Sequence, residues 1–186
     1  LRGQKHVLFD GGIRVPFIVR WPGHTPADRV IDDTWISAVD LVPTLLDAAG
    51  ISMPFHWIPD GVSALPALHG EEFKRGLPMM WESRNADCSG NDEAIAGWPM
   101  LGIRHEEYML LQNPVTGQQA LYDTFTDAAQ TRDLWADKPT LARELAVQIA
   151  DYSKSLPGYS TRPKPVAGGP VGVAPQAPSR SLSDLA

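Results

Sequence analysis

Met100-Leu101-Gly102-Ile103-Arg104, then Tyr108-Met109-Leu110-Leu111, make one β-like run over about 100–112, and Gln119-Ala120-Leu121-Tyr122 belong to another over about 119–123. The turn Asn113 to Gly117 separates these two, and a third run, the first along the chain, occupies about 77–83. Runs rich in branched and aromatic side chains, punctuated by Asn, Pro and Gly, predict an antiparallel meander. After it, Leu141, Leu145, Ile149 and Tyr152 recur at intervals of four, four and three. That period predicts a helix from near Asp137 to Pro139 as far as about Ser155, closing the small sheet.

Upstream, Val15-Pro16-Phe17-Ile18-Val19 is a short, non-alternating apolar run of the kind a strand buried on both faces requires. Pro16 belongs at its start or at a bulge, Gly11-Gly12 make a tight bend before it, and Pro22-Gly23 stop it. A short helix follows, with Asp40 as its N-cap, Pro43 in its first turn and Gly50 at its stop. Leu41, Leu45, Ala48 and Ala49 give that helix an apolar face. A connector over 51–78 carries a turn at Asp60-Gly61 and a short helical or buried piece at Leu65-Pro66-Ala67-Leu68. Residues 85–97 read as a loop. The last 30 residues hold six Pro and four Gly, with no aromatic after Tyr159. They bury too little apolar area to offset an ordering cost of roughly 1–2 kcal/mol per residue, which predicts a disordered tail. The expected organisation is therefore 1–70, 71–157 and a tail over 158–186.

The chain has 186 residues, 43% of them hydrophobic and 20% charged, which is a globular composition. Its formal charge of −6 and its lack of a basic run argue against a nucleic-acid or anionic-membrane partner. No run approaches the length of a membrane span. Cys88 is the one cysteine, so neither an internal disulfide nor a thiolate metal cluster is expected. His24, His56, His69 and His105 lack metal-ligand spacing.

The stretch Leu1-Arg2-Gly3-Gln4-Lys5-His6-Val7-Leu8-Phe9-Asp10-Gly11-Gly12-Ile13-Arg14-Val15-Pro16 carries the chemistry. A lysine beside glycine and rigid backbone can bind an anionic ester and offset charge on a leaving oxygen. On spacing alone, the solvated surface residue is the better reading of Lys5, being the commoner fate of lysine. The whole string, however, resembles the second signature of the type I sulfatases: Leu-Arg-Gly-x-Lys, an acidic residue, Gly-Gly, x-Arg-x-Pro, then Trp-Pro-Gly, here Trp21-Pro22-Gly23. Asp40-Leu41-Val42-Pro43-Thr44-Leu45-Leu46 with Ala49-Gly50 is similar to the family's next helix. Leu121-Tyr122-Asp123, Asp127 and Asp133-Leu134 are similar to its closing strand and turn.

The resemblance implies an α/β fold: the edge part of an alkaline-phosphatase-like sheet, then the small antiparallel sheet with its packed C-terminal helix. It implies a formylglycine-dependent, arylsulfatase-like hydrolase with a sulfated small molecule or glycan as substrate. Lys5 matches the sulfate-contacting lysine, a catalytic and substrate-binding role, and His6 beside it is a second substrate-binding candidate. Ca2+ and the formylglycine, made from an upstream Cys, are implied for the intact parent. Their ligands and motif would precede Leu1, as would any export signal to the periplasm or exterior. Cys88 lacks the Pro and Arg of the nucleophile motif, and Gln176-Ala177-Pro178-Ser179-Arg180 has Gln in place of its Cys. This chain alone is therefore expected to be inactive. Asp10 and Arg14 are expected to order the turn, and Trp98 with the loop before it to shape a substrate rim. Rival readings are a phosphate or phosphonate ester hydrolase of the same superfamily, or a catalytically silent truncated module.

Overall fold

In a computed structural model of the chain, residues 1–83 and 98–156 are described. Cys88, the loop over 85–97, the tail from 158 and the sequence at 176–180 lie outside the described residues.

Four strands, β1 (Met79–Glu82), β2 (Leu101–His105), β3 (Tyr108–Gln112) and β4 (Gln119–Asp123), form one sheet in the order β1-β2-β3-β4. Every neighbouring pair is antiparallel, with Ile103 opposite Leu110 and Leu110 opposite Leu121. The antiparallel meander is the one the sequence predicts, except that the run over about 100–112 divides after His105 into two strands, β2 and β3. Its turns use local polar groups: Asn113 accepts from the backbone N–H of Val115 and Thr116 at 2.9 and 3.1 Å.

The strands are apolar without clean alternation because both faces of the sheet are covered. On one face Leu101, Ile103, Leu110 and Leu121 meet Ala142, Leu145 and Ile149 of the helix Pro139–Ser155. On the other, Met109, Leu111, Ala120 and Tyr122 meet Leu8 and Phe9 from the N-terminal segment. A short helix, α1 (Asp10–Ile13), begins directly after Phe9, so the Gly11-Gly12 bend is its first turn.

Along the chain between α1 and β1, a 3-10 turn (Ala38–Asp40) runs into α2 (Leu41–Ala48), and α3 (Leu65–His69) follows; the C-terminal helix is thus α4. Asp40 stands at the N-cap position of α2, as the sequence suggested, but its side chain makes no capping hydrogen bond to that helix. Ser37 caps the composite helix, and the Asp40 side chain reaches back to the Ser37 N–H at 2.8 Å, completing a capping box. Asp40 is fully buried because it also accepts from Val62 N at 2.9 Å and from Arg75, whose Nη2 lies 2.7 Å away. One carboxylate thereby ties the helix start to the connector and to the approach to β1.

Two further expectations are corrected. Residues 15–19 form no strand, and Val15, Phe17 and Ile18 are exposed, because no other segment among the described residues offers them a ladder. The intended apolar face of α2 is likewise open: Leu45 is 66% exposed, while Pro43 and Thr44 are the buried positions. Thr44 earns its place by accepting from Ala64 N at 2.9 Å. No helix among the described residues is long and apolar enough to cross a membrane.

Candidate functional site

Lys5 lies in a turn over residues 5–6, exposed and without a charged partner among the described residues. The backbone beneath it is tightly packed. Gly11 N donates to Arg2 O at 2.7 Å, Gly12 N to Phe9 O at 2.7 Å, and Val7 N to Gln4 O at 3.3 Å. A Cβ on Gly11 would stand 2.6 Å from the carbonyl oxygens of Arg2 and Gly3, and one on Gly12 would stand 2.0 Å from Val7 O. Only glycine lets α1 and the lysine turn approach this closely.

His6 adjoins Lys5 and is exposed, with φ of +78°. That left-handed backbone favours glycine over a residue with a Cβ. The turn therefore sets His6 at a cost in backbone strain.

Asp10 and Arg14 do order this region. Asp10 is fully buried and paired with Arg104 Nη2 at 2.5 Å, with Arg14 Nη1 at 4.0 Å. Its second oxygen, Oδ2, is buried without a hydrogen bond. Arg104 also donates to the Thr124 hydroxyl at 2.6 Å and lies 4.0 Å above the Trp35 ring, over which Arg14 sits at 4.6 Å. Burial pulls the Arg104 pKa down from its ordinary value, and the Asp10 carboxylate opposes that shift. A cavity of about 680 Å³ opens beside this group, with Asp10, Arg14, Trp35, Trp81 and Arg104 in its wall.

A second network reaches the lysine turn from below. Arg2 donates to Gln130 O at 2.8 Å, and Gln130 Oε1 accepts from Asp10 N at 2.9 Å. Arg2 stacks 4.1 Å over Phe9 and approaches the Tyr122 hydroxyl at 3.4 Å. Burial raises the Tyr122 pKa, with Arg2 opposing it.

Sequence reading missed Arg104, Gln130 and Trp35. Arg104 left a signal, a charge inside the apolar run Leu101-Gly102-Ile103; Gln130 left none. Trp98 is partly buried and packs against the cluster that contains Leu8, Phe9 and Met109, and the loop before it lies outside the described residues. His24 and His69 are not isolated as the spacing suggested: their rings lie 6.4 Å apart, and His24 stacks on Trp21 at 4.1 Å. Among the described residues no group of three or more His, Cys, Asp or Glu could hold a metal ion. The donor set of the described residues does not fit a calcium site.

Comparison with known proteins gives a match to the family described as N-sulphoglucosamine sulphohydrolase, C-terminal, over residues 3–155. The chain is 27% identical over 178 residues to an uncharacterised sulfatase of Schizosaccharomyces pombe, covering 92% of this chain and 30% of that protein. It is 29% identical over 162 residues to the delta 4,5-hexuronate-2-O-sulfatase of Bacteroides thetaiotaomicron, covering 86% of this chain and 31% of that one. A solved chain described under the metabolism of multiple glycosaminoglycans by Bacteroides thetaiotaomicron superposes with a TM-score of 0.62 at 20% identity. That match covers 82% of this chain and 32% of the other, and at that identity it speaks to fold. The chain thus spans 30 to 31% of the length of these curated relatives.

Proposed function

The chain belongs to the N-sulphoglucosamine sulphohydrolase C-terminal family of sulfatase domains, and from that premise we propose that its intact protein hydrolyses sulfate esters. Lys5 is the residue of this chain that meets the substrate. The observation that carries the reading is the exposed ammonium on a turn pinned against Gly11-Gly12. A point charge on rigid backbone is already organised for an anion, so it holds the sulfate and offsets charge growing on the leaving oxygen. His6, one residue on, faces the same solvent and is a second contact for the ester or its sugar.

The nucleophile and the cation ligands belong to the rest of the intact protein. The resemblance makes them formylglycine and Ca2+; the cation, when bound, would supply Lewis-acid polarisation of the sulfate. The sulfated substrate is a glycan unit, a reading supported by a relative named for a 2-O-sulfated hexuronate.

The test is to express the full reading frame with formylglycine-generating enzyme and to assay 4-nitrophenyl sulfate and 4-nitrophenyl phosphate. Lys5→Ala is expected to lower kcat/KM for the sulfate at least 100-fold, about 3 kcal/mol of transition-state binding. Preferred turnover of the phosphate would move the protein to the phosphoryl branch of the superfamily. Unchanged sulfate turnover by Lys5→Ala would remove the lysine from the site.

A further inference from the structure

We propose that Gln130 is a positioning residue for Lys5, acting as the clamp that closes the base of the lysine loop; the inference rests on the assignment of Lys5 given above. The loop runs from Arg2 to Asp10, the first residue of α1, with Lys5 between them. Both ends are held by the one side chain and backbone of Gln130. Its carbonyl oxygen accepts from Arg2 Nη1 at 2.8 Å and its side-chain Oε1 accepts from Asp10 N at 2.9 Å. The loop's own closing bond, Gly11 N to Arg2 O at 2.7 Å, lies between these two contacts. No other described residue reaches both arms with a hydrogen bond from the turn after β4.

Gln130 is held there against its own preferences. It is fully buried, its φ is +49°, and its Nε2 has no hydrogen-bond partner. Flipping the amide does not relieve this, because the group opposite is a backbone N–H and requires an acceptor. A left-handed backbone and an orphaned buried donor persist only where the surroundings over-determine them, and such positions gather at functional sites. The surroundings here are the Asp127 turn, since Gln130 N donates to Asp127 O at 2.9 Å and Asp127 Oδ2 accepts from Thr131 N at 2.7 Å. The C-terminal turn is thus a rigid brace, and Gln130 carries its stiffness to the loop that aims the ammonium.

The experiment uses the full-length protein, 4-nitrophenyl sulfate and three variants. Gln130→Asn keeps a polar amide and tolerates the left-handed backbone but withdraws the acceptor by one methylene. Gln130→Glu keeps the acceptor at its original reach. The expected result is at least a fivefold loss of kcat/KM in Gln130→Asn and recovery to within twofold of wild type in Gln130→Glu. Amide hydrogen exchange in Gln130→Asn should quicken over residues 3–12 while protection over 101–123 stays unchanged. A loss below fivefold, a Gln130→Glu variant as impaired as Gln130→Asn, or exchange that quickens equally across the sheet overturns the proposal. Lys5→Ala is measured alongside. If it turns over sulfate at the wild-type rate, the lysine assignment fails and this inference with it. If Lys5→Ala is crippled while Gln130→Asn is fully active, the inference alone fails.

Discussion

The Asp10–Arg104 pair shows how one residue can hold two parts of the chain together. Their side chains are 0% and 3% exposed, so neither charge can fall back on water. Removing one partner leaves the other buried and uncompensated, a loss of about 3–5 kcal/mol. Arg104→Met is therefore expected to lower the unfolding free energy by that amount in urea titration, whereas Asp10→Asn with Arg104→Met together should cost much less. His6 offers the opposite case. Its φ of +78° strains a residue with a Cβ, so His6→Gly should raise stability by about 0.5–1 kcal/mol, read as a higher Tm. Lys5 could be found in the sequence because its neighbours form a recognisable string. Gln130 could not, since its importance lies in two contacts more than 100 residues away along the chain, at separations of 120 and 128.

At the scale of elements, legibility followed whether an element's partners lie in the chain. The meander and α4 were readable because each buries its apolar face against another described element, so periodicity and burial agree. Residues 15–19 and the Leu face of α2 misled for the converse reason: their pattern asks for neighbours that none of the described residues supply. The contrast can be tested within α4. Leu145→Ala or Ile149→Ala, each at a fully packed position, should cost about 2–5 kcal/mol by chemical denaturation, and Val147→Ala, at 61% exposure, should be close to neutral. The turn after β4 carries a pH dependence. Burial pushes the Asp123 carboxyl up, but backbone N–H groups of Thr126 and Phe125 outweigh it and hold the pKa below its ordinary value. Asp127 is lowered first by the Arg132 backbone N–H and then by Thr131. A depressed folded pKa contributes stability that is complete above the unfolded value, about 3.9, and is lost as pH falls through the folded one. Wild-type Tm should therefore fall as pH drops below about 4. Asp123→Asn with Asp127→Asn should be less stable at pH 7 yet lose less on acidification, a difference that thermal melts from pH 7 to pH 2 would reveal.

For the molecule as a whole, the decisive quantity is apolar surface left in water. Val15, Phe17, Ile18, Val30, Leu45 and Phe55 are all exposed, Ile18 at 89%. Isolated apolar residues on a surface are ordinary, but a row of them along residues 15–19, in a chain that also leaves a face of α2 open, is what marks an association surface. The row also belongs to no strand, and an exposed apolar segment without a covering partner recruits further chains. Residues 1–156 prepared alone are thus expected to self-associate in a concentration-dependent manner, with sedimentation shifting from monomer to larger species between about 1 and 100 μM. Replacing Phe17 and Ile18 by Lys should suppress that shift without lowering the helix and strand signal in circular dichroism, because neither side chain contributes to the two cores around the sheet. Monomeric behaviour of the unmodified segment at 100 μM would mean the strip is tolerated by water. The sheet, its helix and the braced lysine loop would then form a unit that needs no further covering to stay dispersed.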